Sequence, residues 1–223
     1  IDGISDTTPM TIEGTINKTG FLILLTIAGA YVGWNLKSMP LMIGAMIVNL
    51  IVAFLIIFKP QRAPALSPVY AVGEGLLLGS ISAMYSMVYP GIVTNALMLT
   101  FSCLILMLAF YKFQIIRVTE KTRSVIMVAT MSIGVVYIID LVMSLFGTHV
   151  PMIHEATTAG IIFSLVVVCV AAFNLLLDFD MIEQSHLRGA PKFMEWYCGF
   201  ALLLTIVWLY LEILRLLSKM NKK

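Results

Sequence analysis

Residues 157–182 read TTAGIIFSLVVVCVAAFNLLLDFDMI, and the first charged residue in this stretch is Asp178. A helix needs roughly 20 apolar residues to cross the hydrocarbon core of a bilayer, and the uncharged part is about that long. A backbone in lipid must satisfy its own hydrogen bonds, so only a helix suits such a segment. The stretch therefore predicts a membrane-spanning α-helix.

Similar apolar runs recur along the whole chain, separated by proline, glycine and charged residues, which break helices or lie in loops. The runs occupy residues 19–36, 40–58, 69–89, 91–111, 124–146, 157–182 and 193–217. We therefore expect an all-α polytopic membrane protein built as a seven-transmembrane-helix bundle. Its predicted parts are a cytoplasmic N-terminal tail (1–18), the membrane domain (19–217) and a basic C-terminal tail (218–223).

Composition agrees with this class. Of 223 residues, 60% are hydrophobic and only 12% are charged, with a net charge of +2. A soluble domain carries about 25% charged residues, and the small net charge gives no reason to expect nucleic acid as a partner. Cys103, Cys169 and Cys198 lie far apart inside apolar runs, which predicts buried hydrophobic side chains and no disulfide framework or metal site.

Basic residues mark the expected cytoplasmic side, because short cytoplasmic loops are enriched in Lys and Arg. The loops after the first, third and fifth runs carry Lys37 alone. The loops after the second, fourth and sixth runs carry Lys59, Arg62, Lys112, Arg117, Lys121, Arg123, Arg188 and Lys192. This asymmetry predicts a cytoplasmic N-terminus.

The last run complicates the orientation. Seven crossings would place Lys219, Lys222 and Lys223 outside, against the same rule. Either the final helix crosses fully and the tail is an exception, or it re-enters and returns to the cytoplasm. Full crossing is favoured, because residues 193–217 are long enough to span.

Six acids fall within or beside the predicted spans, where a lone carboxylate costs several kcal/mol. Glu212 precedes Arg215 by three residues, which allows an ion pair on one helix face. Glu195 follows Lys192 by three and stands in the first turn of its helix, where the helix dipole favours a negative charge. The other four are Glu74, Asp140, Asp178 and Asp180.

No Lys or Arg lies within a turn or two of Glu74, Asp140 or Asp178. The Gly75-x-x-x-Gly79 spacing beside Glu74 predicts close helix contact, which would turn this acid toward protein. Asp140 is expected toward the outer side.

Glu74, Asp178 and Glu195 are predicted at a similar depth from the cytoplasmic surface. A shared cluster would bind a cation or switch with pH, since close carboxylates share protons. Separate acids, each hydrogen bonded to hydroxyl groups, remain the alternative.

Several segments resemble the Bax inhibitor (YccA-like, transmembrane Bax inhibitor motif) family, and its bacterial branch most of all. They are YAVGEG (70–75), MTIEGTINKT (10–19), LDFDMIE (177–183), APKFMEWY (190–197) and WLYLEILRLL (208–217). The resemblance implies a bundle with the last helix central and a place in a bacterial inner (plasma) membrane. It also implies a pH-sensitive calcium leak channel.

The sensor that this resemblance implies is a pair of aspartates, of which the first maps onto Asp178. The second maps onto Thr205, which cannot share a proton as a carboxylate does, so this chain departs from the pattern. Glu195 or Glu74 is the expected substitute. Asp180 is a further candidate, and Glu183 is a secondary one with Asp140 and Thr205.

Other functions remain open. Relatives that associate with a membrane protease suggest a non-transporting regulator of stress or cell-death machinery, with the basic loop 117–123 as its contact surface. A proton-coupled transporter is a third possibility. We expect no enzyme and no cofactor beyond Ca²⁺ as a permeant ion, because no catalytic motif appears. His149, His154 and His186 are predicted in loops, in solvated or capping roles.

Overall fold

The computed structural model describes residues 8–36 and 39–222, and within them it is helical, with no β-strand. Seven long helices follow the predicted runs: α1 Ile12–Leu36, α2 Met39–Phe58, α3 Ala63–Val88, α4 Ile92–Lys112, α5 Glu120–Leu145, α6 Thr158–Leu187 and α7 Met194–Asn221. Two short elements join them, a 3₁₀ turn at Pro60–Arg62 and a one-turn helix at Pro151–His154. The prediction of an all-α protein is confirmed.

Six of these helices are long and apolar enough to cross a bilayer, and α2 supplies a shorter apolar segment, Met42–Phe58. The outer surface of α5 illustrates their setting. Its buried residues are Ile126 and Ile133, whereas Met131 is 75% exposed. Large apolar side chains facing outward along a whole helix suit contact with lipid. The number of crossings, seven, stays a prediction.

Two boundaries differ from the sequence expectation. Helix α1 begins at Ile12 rather than at residue 19, because the Thr11 hydroxyl accepts a hydrogen bond from the Gly14 amide at 3.0 Å and caps the helix. Helix α6 continues to Leu187, so His186 lies in its last turn and not in a loop. Its Nδ1 lies 3.0 Å from the Met10 carbonyl oxygen.

Cysteine burial also differs in part from the prediction. Cys198 is buried, Cys103 is intermediate and Cys169 is exposed, and all three are free thiols. An exposed cysteine on an apolar span faces the same surroundings as the leucines and valines around it. Burial inside protein was therefore the wrong expectation for Cys169.

The chain divides into two compact units. The first comprises the described residues up to Met87 together with Asp178–Leu204, and the second comprises Val88–Leu177 with the described residues from Thr205. Helices α6 and α7 contribute to both. Helix α7 is also the most buried span: 61% of its apolar window is buried, against 39% or less in the other five.

Glycines bring α1 and α3 together in the first unit. A Cβ atom added at Gly75 would overlap the Thr26 carbonyl oxygen, and one at Gly79 would overlap the Ala30 carbonyl oxygen. Gly33 on α1 faces the Leu76 backbone in the same way. The predicted Gly75-x-x-x-Gly79 contact is confirmed, since only residues without a Cβ allow two helix backbones to approach so closely.

The first half of α7 completes this unit through aromatic contacts. Trp196 meets Phe21 of α1 edge-on, with ring centroids 6.1 Å apart. Phe200 meets Tyr70 of α3 edge-on at 4.9 Å. In the second unit, the Asn174 amide of α6 donates to the Thr130 hydroxyl of α5 at 2.7 Å, a half-buried polar link between two apolar helices.

Candidate functional site

A polar cluster within the first unit joins α2 to α3 around Glu74. The Asn49 amide donates to Glu74 Oε2 at 2.8 Å and to the Tyr70 carbonyl oxygen at 3.2 Å. The Tyr70 hydroxyl also hydrogen bonds to the Glu74 carboxyl group. Among the described residues, Glu74 is therefore held by neutral partners.

Two buried oxygen atoms, one on α2 and one on α3, have unused hydrogen-bonding capacity. Asn49 Oδ1 and Ser67 Oγ are buried and have no hydrogen-bond partner within the described residues. Gly73 makes room for the amide, because a Cβ there would overlap Asn49 Oδ1. Buried polar atoms are nearly always hydrogen bonded, so two unused oxygens on α2 and α3 favour a binding role for water or an ion.

The acidic end of α6 lies in the same unit. Asp178 is partly buried and close enough to the Cys198 thiol of α7 to interact with it electrostatically. Asp180 is buried, with 7% of its surface exposed, while Glu183 is exposed. Ser185 hydrogen bonds to the same thiol, so the end of α6 contacts the start of α7 through polar side chains.

Glu195 is fully buried, and its surroundings differ from the sequence expectation of a proton-sharing acid. Its carboxylate forms ion pairs with Lys18 of α1 and, at 2.8 Å, with Lys192 of the preceding loop. It also accepts hydrogen bonds from the Thr11 amide at 2.8 Å and the Thr11 hydroxyl at 3.0 Å. Gly14 leaves the space, since a Cβ there would overlap the carboxylate.

These contacts define an N-terminal clasp: Thr11, Lys18, Lys192 and Glu195. Lys18 lies 177 positions from Glu195 in the chain, so no local sequence pattern predicts this ion pair. A carboxylate flanked by two ammonium groups is stabilised in its charged form and is a poor proton acceptor. The predicted cluster of Glu74, Asp178 and Glu195 is not found among the described residues as a group with ligand atoms within 4.8 Å.

The ion pair expected between Glu212 and Arg215 is present in the second unit, with a nitrogen–oxygen distance of 2.9 Å. The structure adds Tyr137 of α5, whose hydroxyl donates to Glu212 at 2.6 Å and accepts from Arg215 at 2.7 Å. Thr205, onto which the family resemblance maps the second aspartate, is buried on α7 with 6% exposed.

A second polar group of this unit was missed from the sequence. Asp140, His149 and His154 each offer one ligand atom, and these atoms all lie within 4.8 Å of one another. Their irregular spacing matches no short metal-binding motif, so the sequence alone predicted none. Among the described residues, this is the group of three acids, histidines or cysteines whose ligand atoms lie close enough together to hold a metal ion.

The long apolar helices and their outward-facing apolar side chains define a multi-pass integral membrane protein. A family model described as Bax inhibitor 1 like matches residues 2–222, and the chain belongs to this family. No curated protein sequence matches the chain. The resemblance seen in the sequence is thus confirmed at the level of the family.

Proposed function

We propose that this protein is a cation leak channel, with calcium as the permeant ion, gated by protonation of intramembrane carboxylates. The observation that carries the proposal is the polar cluster around Glu74. It combines an intramembrane acid with neutral partners and the buried Asn49 Oδ1, which has no hydrogen-bond partner among the described residues. The proposal includes no catalytic activity and no bound cofactor.

The contrast with the other acids supports this choice. Glu195 and Glu212 both pair with basic side chains, which compensate their charge inside the protein. Among the described residues, the partners of Glu74 are the Asn49 amide and the Tyr70 hydroxyl, and neither is charged. A carboxyl group so placed must gain a proton or meet a cation to be tolerated at low cost. Either event changes the contact between α2 and α3.

Protonation would act directly on this contact. An ionised carboxylate accepts the Asn49 hydrogen bond and attracts a cation, whereas a protonated one donates and carries no charge. We therefore assign conduction to the ionised state and closure to the protonated one. Asp178 is the second proposed sensor, because it occupies the first position of the aspartate pair that the family resemblance implies. At the second position of that pair this chain has Thr205 in place of an aspartate.

Calcium flux into proteoliposomes tests the proposal. The purified protein is reconstituted with an enclosed calcium indicator, and uptake is measured between pH 5 and pH 8. The parent should conduct more as the pH rises. Glu74→Gln mimics the protonated acid and should stay closed at every pH, and Asp178→Asn should weaken the pH dependence.

Glu13→Gln is the matched control, because Glu13 is an exposed acid in the first turn of α1. Its flux should follow the parent. If Glu74→Gln and Asp178→Asn both keep the parental pH profile, these carboxylates do not gate the protein. If the parent carries no flux at any pH, the channel proposal is wrong.

A regulatory role is the second candidate, and one observation favours it. Arg117, in the basic loop between α4 and α5, and Lys121, in the first turn of α5, are exposed and can reach another protein. Under this alternative, replacing both by Ser removes co-purification of a membrane protease or stress factor without changing flux. The channel proposal also expects this double variant to keep its flux. Glu74→Gln separates the two functions, because only the channel proposal expects it to lose flux.

We also propose that all seven long helices cross the bacterial inner membrane, with the N-terminus in the cytoplasm. Helix α7 runs unbroken for 28 residues, or about 42 Å at 1.5 Å per residue. This length exceeds the ~30 Å hydrocarbon core. A re-entrant segment would need a reversal of direction, and α7 contains none.

Lys219 lessens the objection raised by the basic tail. It is 2% exposed and donates to the carbonyl oxygens of Met152 and Gly160, both at 2.9 Å, and to the Ser164 hydroxyl at 2.8 Å. It therefore serves as an internal contact at the end of α7 and not as a topology signal. Alkaline phosphatase is active only outside the cytoplasm, so a fusion to the C-terminus of the chain should show activity. An inactive fusion would contradict seven crossings.

A further inference from the structure

Three metal-binding side chains meet where α5 ends. Asp140 lies in the last turns of α5, His149 lies in the loop that follows, and His154 ends the one-turn helix Pro151–His154. We propose that Asp140, His149 and His154 form a binding site for a divalent transition metal of the zinc class. The proposal is independent of the polar cluster around Glu74.

The distances are close to those that a metal requires. Asp140 Oδ2 and His154 Nε2 are 2.8 Å apart, and the two imidazole rings have centroids 4.8 Å apart at an interplanar angle of 56°. Zinc bonds of about 2.0–2.2 Å in a tetrahedron place ligand atoms about 3.4 Å from one another. With all three ligand atoms already within 4.8 Å, small side-chain rotations suffice to reach this geometry.

The backbone that carries the ligands is held in place by other contacts. Asp140 uses its second oxygen, Oδ1, to accept from the Val150 amide at 2.9 Å, which fixes the carboxylate and leaves Oδ2 toward the histidines. Ile153 is 2% exposed, and the neighbouring Met152 carbonyl accepts from Lys219. Contacts of this kind orient metal ligands before the metal arrives.

The ligand types select the class of metal. Two imidazoles and one carboxylate suit Zn²⁺ and its first-row neighbours, whereas Ca²⁺ and Mg²⁺ prefer sites made of oxygen atoms. Three protein ligands leave a fourth position for water. Access is open, because the side chain of His154 is 50% exposed and that of Asp140 is 15% exposed.

A simpler reading is that Asp140 and His154 form only a hydrogen-bonded pair, with His149 nearby by chance. The two readings differ in what His149 does. It is exposed and takes no part in the Asp140–His154 hydrogen bond. His149→Ala is therefore the decisive variant, since it removes a proposed ligand and keeps both members of the structural pair.

The test uses the full chain, purified in detergent and stripped of metal. Titration with Co²⁺, a visible-absorbing substitute for Zn²⁺, should give the d–d absorption of a low-coordinate site, saturating at one metal per chain. Zn²⁺ should abolish this absorption, and excess Ca²⁺ or Mg²⁺ should not. His149→Ala should weaken binding by at least about tenfold, the lower end of what losing even a supporting contact costs.

His186→Gln is the matched control, since His186 lies in α6 beside the Met10 carbonyl and belongs to the other unit. It should leave the cobalt spectrum and affinity unchanged. If His149→Ala binds Co²⁺ as tightly as the parent, or if the parent gives no d–d band, the site is only the Asp140–His154 pair and the proposal is wrong. A thermal melt of each variant without metal verifies that it is folded.

Discussion

The substitution Glu195→Gln tests the N-terminal clasp of Thr11, Lys18, Lys192 and Glu195. Glutamine keeps the size of the side chain, and its carbonyl oxygen can still accept from the Thr11 amide. What it loses is the negative charge between Lys18 and Lys192. The variant therefore isolates the contribution of the ion pairs from that of packing.

The expected cost follows from the geometry of those pairs. The carboxylate is fully buried, while the side chains of Lys18 and Lys192 are 22% and 34% exposed. Removing one partner of a wholly buried pair costs about 3–5 kcal/mol, and a hydrogen bond to a charged group contributes about 1.5–3 kcal/mol. Both lysines can still reach water after the substitution, so the cost should be lower than for a wholly buried pair. We expect the free energy of unfolding to fall by about 2–4 kcal/mol.

A thermal unfolding assay on protein in detergent measures this directly. One kcal/mol shifts the melting temperature by about 2–4 °C in a protein of 150–250 residues, so Glu195→Gln should melt roughly 4–16 °C below the parent. Glu13→Gln, in the exposed first turn of α1, should change the free energy of unfolding by no more than about 0.5 kcal/mol. Equal shifts for the two variants would show that the clasp contributes no more than a surface acid. A variant as stable as the parent would point instead to Glu195 being protonated in the native protein.

The same unfolding assay serves two further predictions. Gly79→Val forces the α1 and α3 backbones apart and should destabilise the protein by about 1–3 kcal/mol or more. Gly44→Val, with nothing within 4 Å of the added Cβ, should leave it nearly unchanged, and equal effects would refute the close-packing argument. Tyr137→Phe removes the hydrogen bonds to Glu212 and Arg215 and should cost about 1–2 kcal/mol. A neutral result would mean that the ion pair is complete without the hydroxyl group.

Much of the fold was predictable because lipid imposes a simple rule on sequence. A span must be apolar along its length and helical, so the run 157–182 predicted α6 within a few residues of its observed start. The Gly75-x-x-x-Gly79 spacing predicted close helix contact for a similar reason, since a missing Cβ has one steric consequence. Local spacing likewise predicted the Glu212–Arg215 pair, whose members are three residues apart on one helix.

The partners of the acids were harder to predict, because they come from distant parts of the chain. The predicted helix boundaries placed Glu74 and Glu195 at a similar depth from the same membrane surface. The structure separates them: Glu195 meets a lysine from α1, and Glu74 meets an asparagine from α2. The sequence contains Lys18 and Asn49, but nothing local tells which acid each will reach.

The opening run of residues 157–182 illustrates the division between the two kinds of information. By itself, the sequence determined the class of protein, its helices and its family resemblance, since these depend on composition, periodicity and motifs along the chain. Only the tertiary structure decided which charges are compensated and that Asp140, His149 and His154 converge. Such convergence depends on how helices and loops pack. The energy of a buried charge depends on its neighbours in space, which distance along the chain does not predict.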